Sequence, residues 1–284
     1  MKKHASLLLF LCILSNSLLA NRTICSIQDA AEKKLINLSI KGKGGFTGPV
    51  ISMTIGSLVN DTLILKVEAG RRLDSEDNSL QDILVTKSES FALAPCQQKT
   101  FTVCGMCCQL QNHSPALNSE FKIGKMADPK LVEIAGFIDK HHYYNESAAQ
   151  QAVWVISNGE LMASIYSGND NITDELRDCT GNLTKQPVPH YSIVYDKPTP
   201  GNLRGELLRI EGRLRYTLDA PGKITIGVYN SEERMVQLIQ QDQPQQQGEY
   251  NYFYTFDTKR LPPGKYFVRL QVNGSFKKQE EIVF

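Results

Sequence analysis

Gly248-Glu-Tyr-Asn-Tyr-Phe-Tyr-Thr-Phe256 is the stretch that decides the fold class. Tyr250, Tyr252, Tyr254 and Phe256 recur at every second residue, so an extended chain lays all four rings on one face, which a helical period cannot do. Gly222-Lys-Ile-Thr-Ile-Gly-Val-Tyr-Asn230 repeats the device with Ile224, Ile226 and Val228. An aromatic face and an aliphatic face of this kind are two halves of a sandwich core rather than a platform for stacking sugars. Turn chemistry separates the runs: Asp219 to Gly222, the Gln-rich stretch 240–247, Leu261-Pro-Pro-Gly264 and Asn273-Gly274. Asn-Gly between alternating runs is a two-residue hairpin signal. Residues 205–284 are therefore expected to form an immunoglobulin-like β-sandwich.

Upstream, short aliphatic and β-branched runs at 35–40, 50–58, 63–67, 83–86 and 100–103 are broken by Gly42 to Gly48, Asn60-Asp61, Asp74 to Asn78 and Ala94-Pro95. This spacing favours an antiparallel, sandwich-like arrangement. Two helices interrupt it. Asp128 caps the first, Pro129 suits its opening position, and Leu131, Ile134, Ala135 and Ile138 make its apolar stripe. The second starts near Ser147, carries Ala149, Ala152, Val153 and Ile156, and ends at Asn158-Gly159, where a left-handed cap is easy. A mainly β chain is expected, with a two-helix β-rich domain over 25–166. Residues 167–204, rich in Asn, Asp, Thr, Gly and Pro with scattered apolar positions, are expected to be a linker.

The chain has 284 residues, with 31 basic and 30 acidic, a net charge of +1. Two cores are affordable at this length, and no charge excess points to nucleic acid or an anionic membrane. Residues 1–20 read as a signal peptide: Lys2, Lys3 and His4, an apolar run from Ser6 to Leu14, and a small, polar exit ending at Ala20. No later run is long enough to span a bilayer. The expectation is a secreted or cell-surface protein with an extracellular protein or matrix partner, no nucleic-acid partner, no cofactor and no metal.

Removal of the signal leaves Cys25, Cys96, Cys104, Cys107, Cys108 and Cys179, an even number for which disulfides are the default outside the cell. Cys104-Gly-Met-Cys107 also has the spacing of a redox pair, although no helical stripe follows it and no βαβ unit surrounds it. With His113 the same pair makes only half of a zinc signature.

Val103-Cys-Gly-Met-Cys-Cys108 and Ala149-Gln-Gln-Ala-Val-Trp154 together resemble the two halves of a bacterial thioester domain, a resemblance that runs from about Lys34 to Ile156. In that family a Cys is joined covalently to the Gln of a Gln-x-x-aliphatic-Trp helix. The resemblance implies Cys108 as the thiol, because the loop 109–121 looks like the one that follows the family's Cys, and Gln150 as the acyl donor. It also implies Trp154 as a shielding aromatic and capture of a target amine. Cys104, after Val103, fits the preceding-residue pattern as well. Ser147-Ala-Ala-Gln150 equally matches a helix-capping box, which leaves a non-covalent recognition module as the alternative and thiol–disulfide exchange at Cys104 and Cys107 as a third. The last eighty or so residues resemble the immunoglobulin-like modules that end many secreted bacterial proteins, including flagellar-hook-cap-like domains and the sorting domains of the type IX secretion route.

Overall fold

The computed structural model describes residues 22–197 and 203–284; the expected signal peptide lies outside them. The chain is mainly β. Its first half runs through β1 (Arg22–Ser26), helix α1 (Ile27–Glu32), β2 (Ile36–Lys43), β3 (Thr47–Ser57), β4 (Thr62–Val67), β5 (Arg71–Ser75), β6 (Ile83–Val85), β7 (Glu89–Leu93), β8 (Gln98–Cys107) and β9 (Leu117–Met126).

Where two facing sheets were expected, β2-β3-β8-β6-β5-β9 close into a barrel, and β1-β4-β7 form a separate three-stranded sheet. Closure removes edge strands, the same problem a sandwich leaves open. The alternating burial of β3, where Ile51, Met53 and Ile55 are fully buried, fills the interior, and Leu63, Leu65 and Leu93 from the small sheet join that core. Gly105 permits the close approach of β6 to β8: a Cβ there would lie 2.4 Å from Ile83 Cγ2.

Helix α2 (Pro129–His141) is capped by Asp128, whose carboxylate accepts from Lys130 N, and ends at His142 in the left-handed region. Helix α3 (Ser147–Asn158) ends at Gly159 with φ 71°. Helix α4 (Asp170–Thr184) and β10 (Tyr191–Tyr195) occupy most of the segment expected to be a linker. The apolar stripe that would have announced α4 is missing because its buried positions include Thr173, Arg177, Thr180 and Gly181 around the one buried Leu176. Arg177, 4% exposed, donates to the carbonyls of Ile165 (2.9 Å) and Ala163 (3.0 Å) and to Ser192 Oγ (3.0 Å), and so ties α4 to β10. The three helices share a second core with Leu84, Met106 and Cys108.

The remaining strands are β11 (Leu207–Leu218), β12 (Gly222–Asn230), β13 (Met235–Gln245), β14 (Gly248–Asp257), β15 (Lys265–Val272) and β16 (Ser275–Val283). They form sheets of order β10-β11-β14 and β13-β12-β15-β16. The aromatic and aliphatic stripes meet in one core containing Tyr254, Phe256, Ile224, Ile226 and Val228. The turn between β15 and β16 has positive φ at both Asn273 and Gly274, and Asn273 Oδ1 accepts from Lys223 N at 2.8 Å. Tyr191 OH closes the gap between sheets by pairing with both N and O of Val283.

Candidate functional site

Gln150 is fully buried. It does not turn back to its own helix terminus as a capping box would. Its carboxamide reaches across to β8, where Oε1 accepts from Cys107 N at 2.9 Å and Nε2 donates to Cys107 O at 2.9 Å. The N–H and C=O of one strand residue point to the same side, so a single carboxamide satisfies both. The side chain thus continues the ladder beyond Thr47, which pairs with Met106 at the start of β3. Cys107 N is shared with Phe46 O at 3.1 Å. About two helical turns past Gln150, Asn158 Nδ2 donates to Cys108 O at 2.8 Å and its Oδ1 accepts from Leu110 N at 3.1 Å. Two side-chain amides on α3 therefore clamp the end of β8.

The two adjacent cysteines face opposite ways, as successive strand residues must. Cys107 lies in the barrel core with Trp154, whereas Cys108 lies in the helical layer. The carboxamide sits on Cys107, the neighbour of the residue that the resemblance implied. The same residue thus supplies the N–H that holds Gln150 Oε1 and a buried thiol.

Both thiols are pushed up from their ordinary value chiefly by burial. For Cys107 the neighbouring Cys108 adds to this and contact with Ser114 opposes it. Cys108 is pushed up to about 12, with Asp82 adding to burial and Arg72 opposing it. A redox or general nucleophilic cysteine is exposed and ionised; these are neutral thiols that can meet only a partner built in beside them.

All six cysteines of the described residues are free, which corrects the expected disulfide framework. They are spread over β1 (Cys25), the turn before β8 (Cys96), β8 and its end (Cys104, Cys107, Cys108) and α4 (Cys179). Cys96, exposed, donates weakly to Asn60 Oδ1 at 3.8 Å. Cys104 and Cys107 lie in one extended strand, so their Cα atoms are about 10 Å apart where a disulfide spans at most about 7 Å. That spacing also separates them as a redox pair. The glycine between them serves the β6 contact.

Trp154 is 0% exposed and stacks on Phe46, with ring centroids 6.1 Å apart. Its Nε1 has no hydrogen-bond partner among the described residues. Phe46 sits in the loop between β2 and β3, where Gly44 and Gly45 have positive φ, as does Gly48 at the start of β3. Trp154 thus belongs to the barrel core, with Phe46 packed on it. Phe46, Ser114 and Asn158 are the site residues that sequence reasoning missed. The glycine-flanked aromatic of 44–48 is the signal that was available for the first.

No protein-family model matches the chain, and no curated protein matches it.

Proposed function

We propose that this is a secreted or cell-surface attachment protein that binds a target amine covalently through an internal thioester between Cys107 and Gln150. The observation that carries the reading is the double hydrogen bond of the fully buried Gln150 carboxamide to the backbone of Cys107.

The chemistry follows from that anchor. Attack of the Cys107 sulfur on Gln150 Cδ forms a C–S bond and places negative charge on Oε1, where the Cys107 N–H already points. The C–N bond breaks, and the thiol proton leaves with the amide nitrogen as ammonia. An isolated amide resists a thiol, so holding the two groups together supplies what their intrinsic reactivity lacks. A thioester is neutral, hence easier to bury than a thiolate, and the full burial of Cys107 and Gln150 keeps water from hydrolysing it. The partner in this reading is an extracellular protein or matrix surface presenting amines, and the C-terminal module serves export or display.

The test is the intact mass of the mature protein. A mass lower than the sequence by one ammonia is expected, kept in Cys108→Ala and lost in Cys107→Ala and Gln150→Ala. A full mass with both thiols alkylated after unfolding leaves Gln150 as a clamp and the protein as a non-covalent recognition module.

A further inference from the structure

Resting on that thioester, we propose that the cleft between the two modules is the acceptor site, and that it selects a primary amine carried on an apolar or aromatic arm. A cavity of about 1050 Å³ opens beside the barrel mouth. Its floor includes Phe46 and Ser114. Phe46 O accepts from Cys107 N, and its ring covers Trp154; Ser114 Oγ donates to Gly45 O at 3.0 Å and so stays beside the same loop. The cavity thus reaches the reactive pair through Phe46, with Cys107 and Gln150 themselves buried and outside its lining. Its far wall comes from the second module, through Tyr195, Leu207 and Phe284. Neither module makes the site alone.

The lining sets the ligand chemistry. It contains no aspartate or glutamate; its ionisable side chains are His113, Tyr195 and Arg204. Arg204 pairs with Glu160 and lies over the Tyr195 ring. Glu160 offsets the Arg204 guanidinium, and the mainly apolar lining favours the neutral form of the amine, the form that attacks acyl carbon. Leu110, Pro115, Leu203 and Leu207 leave apolar surface for the arm behind the amine. Phe46 must move for the amine to arrive, and the positive-φ glycines just before it, Gly44 (φ 82°) and Gly45 (φ 87°), give its loop that freedom. In the transfer the amine nitrogen bonds to Gln150 Cδ, the C–S bond breaks, and the Cys107 sulfur takes the proton that the amine gives up. The product is a secondary amide plus a free thiol.

The experiment uses the full chain and two probes, methylamine and a pentylamine bearing an aromatic fluorophore, with incorporation followed by intact mass. The aromatic amine should be incorporated about tenfold faster than methylamine, the scale of one good apolar contact. That ratio should fall toward one in Leu207→Asp and in Phe284→Ala and persist in Phe253→Ala, whose exposed ring lies outside the cleft. Equal rates for both probes on a wild-type protein that is light by one ammonia would overturn the cleft alone, as would a ratio unchanged in both cleft variants. A full-mass protein that incorporates neither probe would remove the thioester and this proposal with it.

Discussion

The two modules differ most in what they bury. Of the buried polar or charged residues, only Thr258 lies in 205–284; Ser57, Arg71, Gln81, Thr86, Gln150, Ser164, Thr173, Arg177 and Thr180 all lie before β10. The sandwich core is mainly apolar, while the barrel and its helices hold polar groups in the dry interior, where Arg71, Gln150 and Arg177 are held by backbone partners. A mainly apolar interior can be read from alternation; a polar interior encodes specific pairings. Removing the partner should therefore be costly only in the first module. In the Cys107→Ala background, where the carboxamide stays intact, Gln150→Ala would leave the carbonyl of residue 107 buried without its donor and leave a void where the fully buried side chain was. It is expected to cost about 3 kcal/mol in urea unfolding. A cost below about 1 kcal/mol would mean that the carboxamide is not held as the geometry requires.

Both modules use a glycine to let one strand pack under another, which sharpens the comparison. Gly105→Ala would place a Cβ 2.4 Å from Ile83 Cγ2 and 3.0 Å from Leu84 O. Leu84 O is backbone and yields little, so a loss of about 2 kcal/mol is expected by urea or thermal melting. The equivalent change at Gly212 meets the Tyr254 ring and hydroxyl from 2.3 Å. Because β8 carries Cys107, Gly105→Ala should also slow the loss of ammonia from Gln150, an effect Gly212→Ala should lack.

The same contrast explains what was legible in the sequence. Tyr254, Phe256 and Ile224 to Val228 announced the sandwich because burial there follows a period of two, and Asn273-Gly274 announced its hairpin through backbone conformation alone. Helices α2 and α3 were legible from their stripes and caps. Helix α4 was not, since Arg177 occupies a core position through hydrogen bonds to carbonyls that no local pattern encodes. The Ala149 to Trp154 motif singled out Gln150, with Cys108 or Cys104 as its counterpart; that the carboxamide meets the backbone of Cys107 depends on how β8 lies against α3. That is a question of register, and one residue inverts it.

A smaller effect separates the two cysteines by pH. Burial, reinforced by Asp82 and opposed by Arg72, raises the Cys108 thiol from an ordinary 9.0 to about 12. The folded state thus keeps this proton where the unfolded chain releases it. The stabilising contribution is complete below pH 9 and is lost progressively as pH rises from 9 toward 12. Cys108→Ala should flatten the fall in unfolding free energy over the first part of that range. The buried tyrosines of the second module, Tyr216, Tyr254 and Tyr266, are also raised, from 10.0, and take over above it. In the thioester form Cys107 has no proton to lose, so Cys107→Ala should leave the slope between pH 9 and 10 unchanged.

The smallest expected effect runs in the opposite direction. Tyr254 is 1% exposed, and its hydroxyl, packed against Gly212, has no hydrogen-bond partner among the described residues. Burial there raises its pKa first of all, with Glu280 adding to the rise. An unpaired buried hydroxyl loses its bonds to water and gains none in return. Deleting it leaves the ring packing of Tyr254 against Phe256 in place, since that contact involves only carbon atoms. Tyr254→Phe should therefore be neutral or stabilising by about 0.5 kcal/mol in urea unfolding. A loss of more than about 1 kcal/mol would mean that the hydroxyl is engaged, through water or with Glu280, and that the second module also relies on a polar interior contact.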